Sequence, residues 1–454
     1  MTLERMLCHG LANMVADTPL GLRLLSGLTE CAMVIGSNTA LPAPVATSGQ
    51  DGDGRSERLR LAAAEVIAHH GVAAASARSI AAAAGMAPSA INYNHGSLER
   101  LLSATFTRGL ADTASWLKGR IGELAFLPAT PDAAALALED VIVQWTAGER
   151  SLAVLYQECL ATSLGSGVAA DWTRLWRDFW LDVAEQFGLD PLEGRLLHVF
   201  FESEALHNLS RWSPALERGA LREMCEYFAE TWLGAIPRLG RGALDQAERI
   251  AGAKAHGTLP PAALRIAEAA AEVVEDKGLG GLTHRAVAAR AGLTTGSVTH
   301  HFRSIEDLLA GAIRGQVQLL MQEADGGSHD QSPPAIDDVT SVEHLIDAIQ
   351  LQAGQDRPPS PLTRRRSLFL ATIHRPDLAT AGAVIRFSYG GTVREALGRL
   401  RPGTQASLAL TAGVLSRLLS ALWYACSAED EPRTARERLS RRINERFVVG
   451  LRAG

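Results

Sequence analysis

Two short segments of the chain carry polar side chains of the kinds that bond to base edges and phosphates. The candidates are Arg78, Ser89, Asn92 and Tyr93 in the first segment, and Arg285, Thr295, Ser297, Thr299 and His300 in the second. An asparagine such as Asn92 can bond to adenine, and threonine methyl groups can contact thymine. Arginine, serine and threonine can also bind phosphate oxygens. The two segments suit the reading of double-stranded DNA, although any single member is also typical of a solvated helix surface.

Both segments lie inside a longer stretch that occurs twice without a gap. RLRLAAAEVIAHHGVAAASARSIAAAAGMAPSAINYNHGSLERLL begins at Arg58, and RIAEAAAEVVEDKGLGGLTHRAVAARAGLTTGSVTHHFRSIEDLL begins at Arg265, 207 positions later. Gly71 aligns with Gly278 at this spacing. A repeat of this length indicates two copies of one architecture rather than a short-period solenoid.

Apolar spacing predicts the helices that position the polar candidates. The first helix of each copy has one apolar face, formed by Leu59, Ala63, Val66 and Ile67 and then by Ile266, Ala270, Val273 and Val274. Gly71 and Gly278 end these helices, because glycine tolerates the backbone angles that follow a helix. A second helix, a tight turn at Gly85 or Gly292, and a third helix follow. The polar candidates fall mainly on the third helix, which makes each copy a helix-turn-helix head.

Capping residues mark where the second and third helices begin. Ser76 and Thr283 are placed to cap the second helix of their copies. Thr294 is placed to cap the third helix of the second copy, whereas Ala87 holds that position in the first and gives up about 1 kcal/mol. Pro88 at the first helical position compensates in part, since its ring presets the backbone. The sequence favours a firmer reading helix in the second copy.

Composition limits the class of protein. The 454 residues suggest several domains, and 47% hydrophobic with only 5% aromatic residues is typical of a soluble helical protein. A formal net charge of −6 does not favour a protein that coats nucleic acid nonspecifically. The five cysteines are scattered and indicate reduced thiols. We find no membrane-spanning run and no catalytic or phosphate-loop motif, and we expect no enzyme, no metal site and no cofactor.

The chain divides by composition and repeat. We predict an extension or linker without regular structure over 1–54, a head over 55–105, a helical block over 106–236, a linker over 237–259, a second head over 260–310 and a second helical block over 311–454. Each unit of head plus block has a comfortable size for a domain. The last helices of the two blocks, around Leu192 to Leu233 and Ala406 to Ala425, are candidates for a four-helix interface within the chain.

The heads resemble one known family. The second copy has Val-Ala-x-x-Ala-Gly ending at Gly292 and His-Phe-Arg-Ser ending at Ser304; the first has Ile-Ala-x-x-Ala-Gly ending at Gly85 and keeps Tyr93. These motifs resemble the TetR family of ligand-responsive bacterial transcription regulators. The resemblance covers the two heads, and the blocks match that family only in size and helical character.

The heads also depart from the family pattern. Leu98 and Ile305 stand where a lysine of the fourth helix contacts phosphate in the family. His95 replaces the phenylalanine that Phe302 keeps in the second copy. Either His95 finds a hydrogen-bond partner, or the first head is looser than the second.

The resemblance implies an all-α regulator whose heads are each followed by a helical effector or dimerisation domain. Because both heads lie on one chain, we expect an intrachain pseudo-dimer, a cytoplasmic ligand-responsive repressor that reads a non-palindromic DNA operator. Two alternatives stay open. The chain could be a one-headed regulator that acts as a homodimer, or a degenerate ligand-binding or protein-interaction scaffold that has lost DNA binding.

Aromatic residues in the first block form a candidate effector pocket. They are Trp145, Tyr156, Trp172, Trp176 and Trp180, with His198 as a polar contact. Their helical spacing fits a pocket for a small apolar effector, and it fits ordinary core packing as well.

Overall fold

The computed structural model describes residues 50–165, 167–233, 242–255, 259–324, 353–355, 358, 360–387, 393–394, 397–398 and 405–448. The prediction of an all-α fold is confirmed, because these residues form helices and turns and no strand. Contacts divide the chain into 1–51 and 52–454. The helices below lie in the second of these units, apart from the first two residues of α1. The predicted extension lies outside the described residues except for its last few positions.

The first head and block contain the helices up to residue 233. They are α1 (Gln50–His70), α2 (Ala77–Ala83), α3 (Ser89–His95), α4 (Leu98–Leu124), α5 (Pro131–Val143), α6 (Arg150–Ser163), α7 (Gly167–Gln186), α8 (Pro191–His207) and α9 (Pro214–Leu233). A 3-10 turn at Val72–Ala74 links α1 to α2. Helix α4 begins in the head and ends in the block, so it is the shared element of the two.

The second head and block repeat this order after a connecting helix. The helices are α10 (Ala243–Ala255), α11 (Pro261–Lys277), α12 (His284–Ala291), α13 (Thr295–His301), α14 (Ile305–Ala324), α15 (Ser360–Ile373), α16 (Ala379–Phe387), α17 (Gln405–Ala425) and α18 (Pro432–Ile443). Two 3-10 turns, Leu279–Gly281 and Pro376–Leu378, and a π-helical turn at Asn444–Val448 complete the described part of this unit.

The first helix starts inside the segment that we predicted to be a linker. Helix α1 begins at Gln50, although glycines such as Gly54 cost about 1 kcal/mol in a helix. Later turns of α1 are anchored by the fully buried Leu59 and Ala63. Once such a helix is nucleated, each further residue adds a backbone hydrogen bond at low cost. The predicted boundary at residue 54 is therefore too late.

The two blocks pack on each other through α8 and α17, with α9 and α18 beside them. We call this interface the seam. An 18-residue stretch of α17, Leu408–Ala425, is long and apolar enough to cross a membrane, but 83% of it is buried inside the protein. The apolarity of α17 therefore fits a core helix of the seam. Helices α8, α9 and α17 fall within the two segments that the sequence offered as an interface, whereas α18 lies beyond them.

The connecting helix α10 is part of the packed structure. Its N-terminal amides at Gly242, Ala243 and Leu244 donate to the Glu223 carboxylate of α9, at 2.7, 2.8 and 3.0 Å. Leu244, Ala247 and Ala251 are buried, and α10 contacts α9, α16 and α17. The region predicted as a linker thus contains a helix that contacts both blocks.

Candidate nucleic-acid interface

The reading helix of the first head is short and presents its polar residues outward. Ile91 is buried and anchors α3, while Ser89, Asn92 and Tyr93 are exposed. Tyr93 has 86% of its surface exposed, so its ring is available for contacts outside the protein. Pro88, which we placed at the first helical position, is the N-cap residue instead, one position outside a helix whose backbone angles it already has.

The reading helix of the second head is held more firmly at its start. The Thr294 side chain accepts from the Ser297 backbone amide at 3.2 Å, as the sequence predicted. Val298 is buried beneath α13, Thr295, Thr299 and His300 are exposed, and Ser297 is half-buried. The Thr299 hydroxyl donates to the Thr295 carbonyl at 2.8 Å, so its methyl group remains for outside contacts.

The arginines predicted on the second helices, Arg78 on α2 and Arg285 on α12, are both exposed. The predicted caps of these helices are confirmed: Ser76 accepts from the Ser79 amide at 3.1 Å, and Thr283 accepts from the Ala286 amide at 3.1 Å. The turn glycines, Gly85 and Gly292, both have a φ of 66°, a conformation that costs other residues energy. The structure therefore places every predicted reading residue on its helix-turn-helix unit.

His95, which stands where the second head has a phenylalanine, has a hydrogen-bond partner within its own head. The Nε2 atom of His95 lies 3.2 Å from the hydroxyl of Ser56 on α1, within hydrogen-bond distance. In the second head Phe302 is 3% exposed, and its ring lies over Gly311, where a Cβ would be 2.2 Å from the ring. The aligned residue of the first head is Ala104. Of the two outcomes that the sequence left open, the hydrogen-bonded one is observed.

Arg100 is a candidate DNA contact that sequence reasoning missed. It is exposed in the first turn of α4, and a Cβ placed on Gly96 would lie 3.1 Å from its Nη1 atom. With Arg60 and Arg108 it lines an open groove of about 460 Å³. The aligned residue of the second head, Asp307, instead accepts from the Ser304 amide at 3.2 Å. Aligning the repeats at this position would have revealed the difference.

We expect Arg100→Ala to weaken DNA binding about equally for all operator sequences. We expect the Arg100 guanidinium to contact phosphate in place of the family's lysine, so its loss should lower the salt slope of log affinity by about 1. Fluorescence anisotropy titrations at several salt concentrations measure this slope. The matched control is Arg433→Ala on α18, a helix of the second block, which should leave the salt slope unchanged. An unaltered slope for Arg100→Ala would show that this residue does not contact DNA.

Comparison with known proteins identifies the heads. The family model described as bacterial regulatory proteins, tetR family, matches residues 59–105 and 266–312, which are the two helix-turn-helix units. The chain therefore carries two tetR-family helix-turn-helix units in tandem. A multidrug binding protein, EbrR, in complex with malachite green is a similar solved structure, with 24% identity, a TM-score of 0.29, and coverage of 41% of this chain and 99% of that one. No curated protein matches the chain significantly.

Helix α4 connects the first head to an aromatic core. A Cβ at Gly109 would lie 2.7 Å from the Leu155 side chain and 2.8 Å from the Trp172 ring, so the glycine permits this close packing. Trp116, also on α4, has its ring centroid 5.4 Å from that of Trp145. Any change in the position of these rings must therefore act on the helix that carries Arg100.

The predicted pocket residues lie together in this core. Trp145, Tyr156, Trp172, Trp176, Trp180 and His198 each have 0% of their surface exposed. The Trp145 and Trp176 centroids are 5.0 Å apart, so the rings pack edge to face as in an ordinary core. Yet the four indole nitrogens and both ring nitrogens of His198 have no hydrogen-bond partner among the described residues. Burial lowers the pKa of His198 well below its usual value, which keeps the ring neutral.

Both heads are tied to the blocks by polar contacts near the end of their first helix. The Glu158 carboxylate on α6 accepts from the Val72 amide at 3.0 Å and from His374 of the second block at 2.7 Å. In the second head, Glu275 on α11 accepts from Arg364 of α15 at 3.1 Å. The turns Val72–Ala74 and Leu279–Gly281 touch each other. The positions of the heads therefore depend on the packing of the blocks.

Proposed function

We propose that the chain is a ligand-responsive repressor that acts in the cytoplasm and reads a non-palindromic operator with two unlike heads. A homodimeric helix-turn-helix regulator presents identical reading helices and so selects a palindrome. This chain presents two different reading helices. The sequence difference between α3 and α13 is the observation that carries the proposal.

The exposed residues of the two reading helices differ in hydrogen-bonding character. Asn92 and Tyr93 of the first head align with Thr299 and His300 of the second. An asparagine can pair with adenine through two hydrogen bonds, whereas a threonine offers a methyl group that suits thymine. Two heads with these sets favour different half-sites.

Covalent linkage supports binding by a single chain. The two blocks share the seam, and α10 contacts both of them. When one head is bound, the other is held at high effective concentration near its half-site, which raises the overall affinity without any new contact. A weak grip by the first head is then compatible with tight binding of the complete operator.

The first test is selection of bound sequences from a random DNA pool at fixed, near-physiological salt. We expect a motif with two dissimilar halves and one 48.3 kDa chain per site. Asn92→Ala should relax the motif at one position of one half, at a cost of about 1–3 kcal/mol for that base. Thr299→Ala is the matched variant and should affect the other half. A palindromic motif bound by two chains would favour the one-headed homodimer, and no enrichment from folded protein would favour the scaffold.

For the effector, we propose a small apolar molecule bound within the aromatic core of the first block. The seam holds a cavity of only about 30 Å³, lined by residues such as Ser203, Arg366 and Tyr424, which is too small for a typical effector. The aromatic core offers several rings together with six ring nitrogens that have no hydrogen-bond partner among the described residues. Buried polar atoms in proteins nearly always have partners, so a mainly apolar ligand that carries a few hydrogen-bonding atoms would satisfy them.

We expect effectors that release the operator to quench tryptophan fluorescence. Such compounds should bind beside Trp176, so Trp176→Phe should raise the concentration needed for half-maximal DNA release by about tenfold, or 1.4 kcal/mol. Trp423→Phe in the second block is the control and should leave that concentration unchanged. If the Trp176→Phe variant released DNA at the same effector concentration as the original chain, the effector would bind elsewhere.

A further inference from the structure

The seam contains charged side chains that are fully removed from solvent. Glu202 and Glu204 of α8 are each 0% exposed, and Arg386 of α16 and Arg417 of α17 are each 1% exposed. Charges are expensive to bury unless they are paired and hydrogen-bonded. Each of these charges therefore depends on the groups that face it.

One carboxylate lies at the centre of the network. Arg417 Nε donates to Glu204 Oε1 at 2.5 Å, and Arg386 Nη2 donates to Glu204 Oε2 at 3.1 Å. Arg386 also donates to Glu217 of α9 at 3.4 Å. Burial alone raises the pKa of Glu204, but the two guanidinium groups outweigh burial, so the pKa is lowered and the carboxylate is ionised.

A second carboxylate, Glu202, faces a third arginine. Arg366 Nη2 of α15 lies 3.3 Å from Glu202 Oε1, and the Tyr156 hydroxyl donates to Glu202 Oε2 at 2.9 Å. The Arg366 guanidinium stacks over the ring of Tyr424, 3.9 Å from its centroid. Both buried carboxylates of α8 thus meet arginines from the second block.

The charges are separated by block. At the buried centre, the charges that the described residues contribute are carboxylates from the first block and arginines from the second. The same separation extends outward, where Arg442 and Arg446 of the second block bond to Glu193 at 3.4 and 3.1 Å. Two pairs at the rim have the opposite sense: Arg195 and Arg177 of the first block lie 2.7 and 3.5 Å from Glu429 of the second.

This separation has a consequence for partner choice. A symmetric pair of identical units places each surface patch against its own copy. Two first blocks paired through α8 would bring Glu202 and Glu204 against a second set of carboxylates, without arginines. Two second blocks paired through α17 would bring Arg386 and Arg417 against arginines. Like charges repel strongly in a medium of low dielectric constant.

We propose that the seam is a pairing code, in which the buried carboxylates of α8 select the buried arginines of the second block and reject a second copy of the same carboxylates. The code explains why a first block pairs with a second block, although two units of common architecture could also pair first with first and second with second. Specificity of this kind rests as much on the repulsion of wrong partners as on attraction of the right one. It concerns the pairing of the blocks and does not depend on which DNA the heads read.

The test uses full-length chains with altered seam charges. Glu204→Arg gives the basic chain, in which a guanidinium faces Arg386 and Arg417. Arg386→Glu with Arg417→Glu gives the acidic chain, in which two carboxylates face Glu204. A chain that carries all three changes has the code reversed. We expect the first two proteins to melt about 5–10 °C below the original chain, because each buries unpaired charge. The reversed chain should regain at least half of that loss, since its seam charges are complementary again.

Partner choice is measured by mixing. The basic and acidic chains, refolded together from denaturant, should assemble crosswise at twice the 48.3 kDa chain mass, at least tenfold more often than either assembles with itself. Light scattering with differently tagged chains counts the species. A mixture of Arg433→Glu and Glu437→Arg chains, altered in an exposed pair of α18, is the control and should stay at the single-chain mass. The proposal is wrong if the basic and acidic chains assemble with each other no more often than with themselves. It is also wrong if the reversed chain melts no higher than the basic and acidic chains.

Discussion

Glu204→Gln is expected to lower the free energy of unfolding by about 3–5 kcal/mol, because it leaves two buried guanidinium groups without their shared counter-charge. The substitution keeps the size of the side chain, so the loss reports charge rather than packing. Arg386 retains one carboxylate, Glu217, at 3.4 Å, whereas Arg417 loses the contact at 2.5 Å. Urea titrations followed by circular dichroism measure the loss, and the slope of the transition shows whether the exposed surface changes as well.

The same variant should alter the response to acid. The pKa of Glu204 is lowered in the folded chain, so its contribution is present above the unfolded pKa of about 4.3 and is lost as the pH falls through the folded value. The original chain and Glu204→Gln should therefore differ strongly in stability at pH 7 and converge in strong acid. Glu437→Gln, in an exposed pair of α18, should behave as the original chain at every pH. A constant difference down to strong acid would contradict an ionised Glu204.

The heads were predictable because their determinants are local. The glycine turn at Gly85 and the caps at Ser76 and Thr294 act within one turn of helix, and their residue types reveal them. The spacing of apolar residues predicted the buried face of α1, but it did not predict that the helix begins at Gln50. Periodicity reports which face is apolar far better than where a helix ends.

The seam was not predictable at the same level. Glu202 and Glu204 lie in the stretch FESEALH, which indicates the polar side of a helix, and yet both are fully buried. Their burial depends on Arg366, Arg386 and Arg417, more than 160 positions away, with which they share no local pattern. Charges separated by block are visible only when both faces of an interface are known.

The candidate site also has features that the sequence could predict and features that it could not. The exposed residues of α3 and α13 could be named from the sequence because a reading helix presents its polar side by default. The partner of His95 could not, since Ser56 lies 39 positions earlier on another helix. The aromatic core could be collected by type and spacing, but its unpartnered nitrogens became evident only from how the rings pack.

Gly311→Ala is expected to disable the second head and leave the first intact. The new methyl group would lie 2.2 Å from Cε1 and 2.7 Å from Cζ of Phe302, a ring that is 3% exposed and has no open space to enter. Overpacking of this severity displaces the ring or α14, and α13 ends at the residue before Phe302. The first head has the smaller His95 at the position aligned with Phe302 and the larger Ala104 at the position aligned with Gly311.

The effect on DNA should be large and confined to one half of the operator. With one head disabled, the gain from tethering is lost, and affinity for the complete operator should fall by about 100-fold or more. The original chain should lose affinity when either half-site is scrambled, whereas Gly311→Ala should respond only to scrambling of the half read by the first head. Gly122→Ala on α4, where nothing lies within 4 Å of the new methyl group, is the control and should bind as the original chain does. If Gly311→Ala still lost affinity when either half-site was scrambled, the second head would not need Phe302 in its observed place. The assignment of one half-site to each head would then be wrong. A loss confined to one half would show that a single chain reads two half-sites through two independent heads.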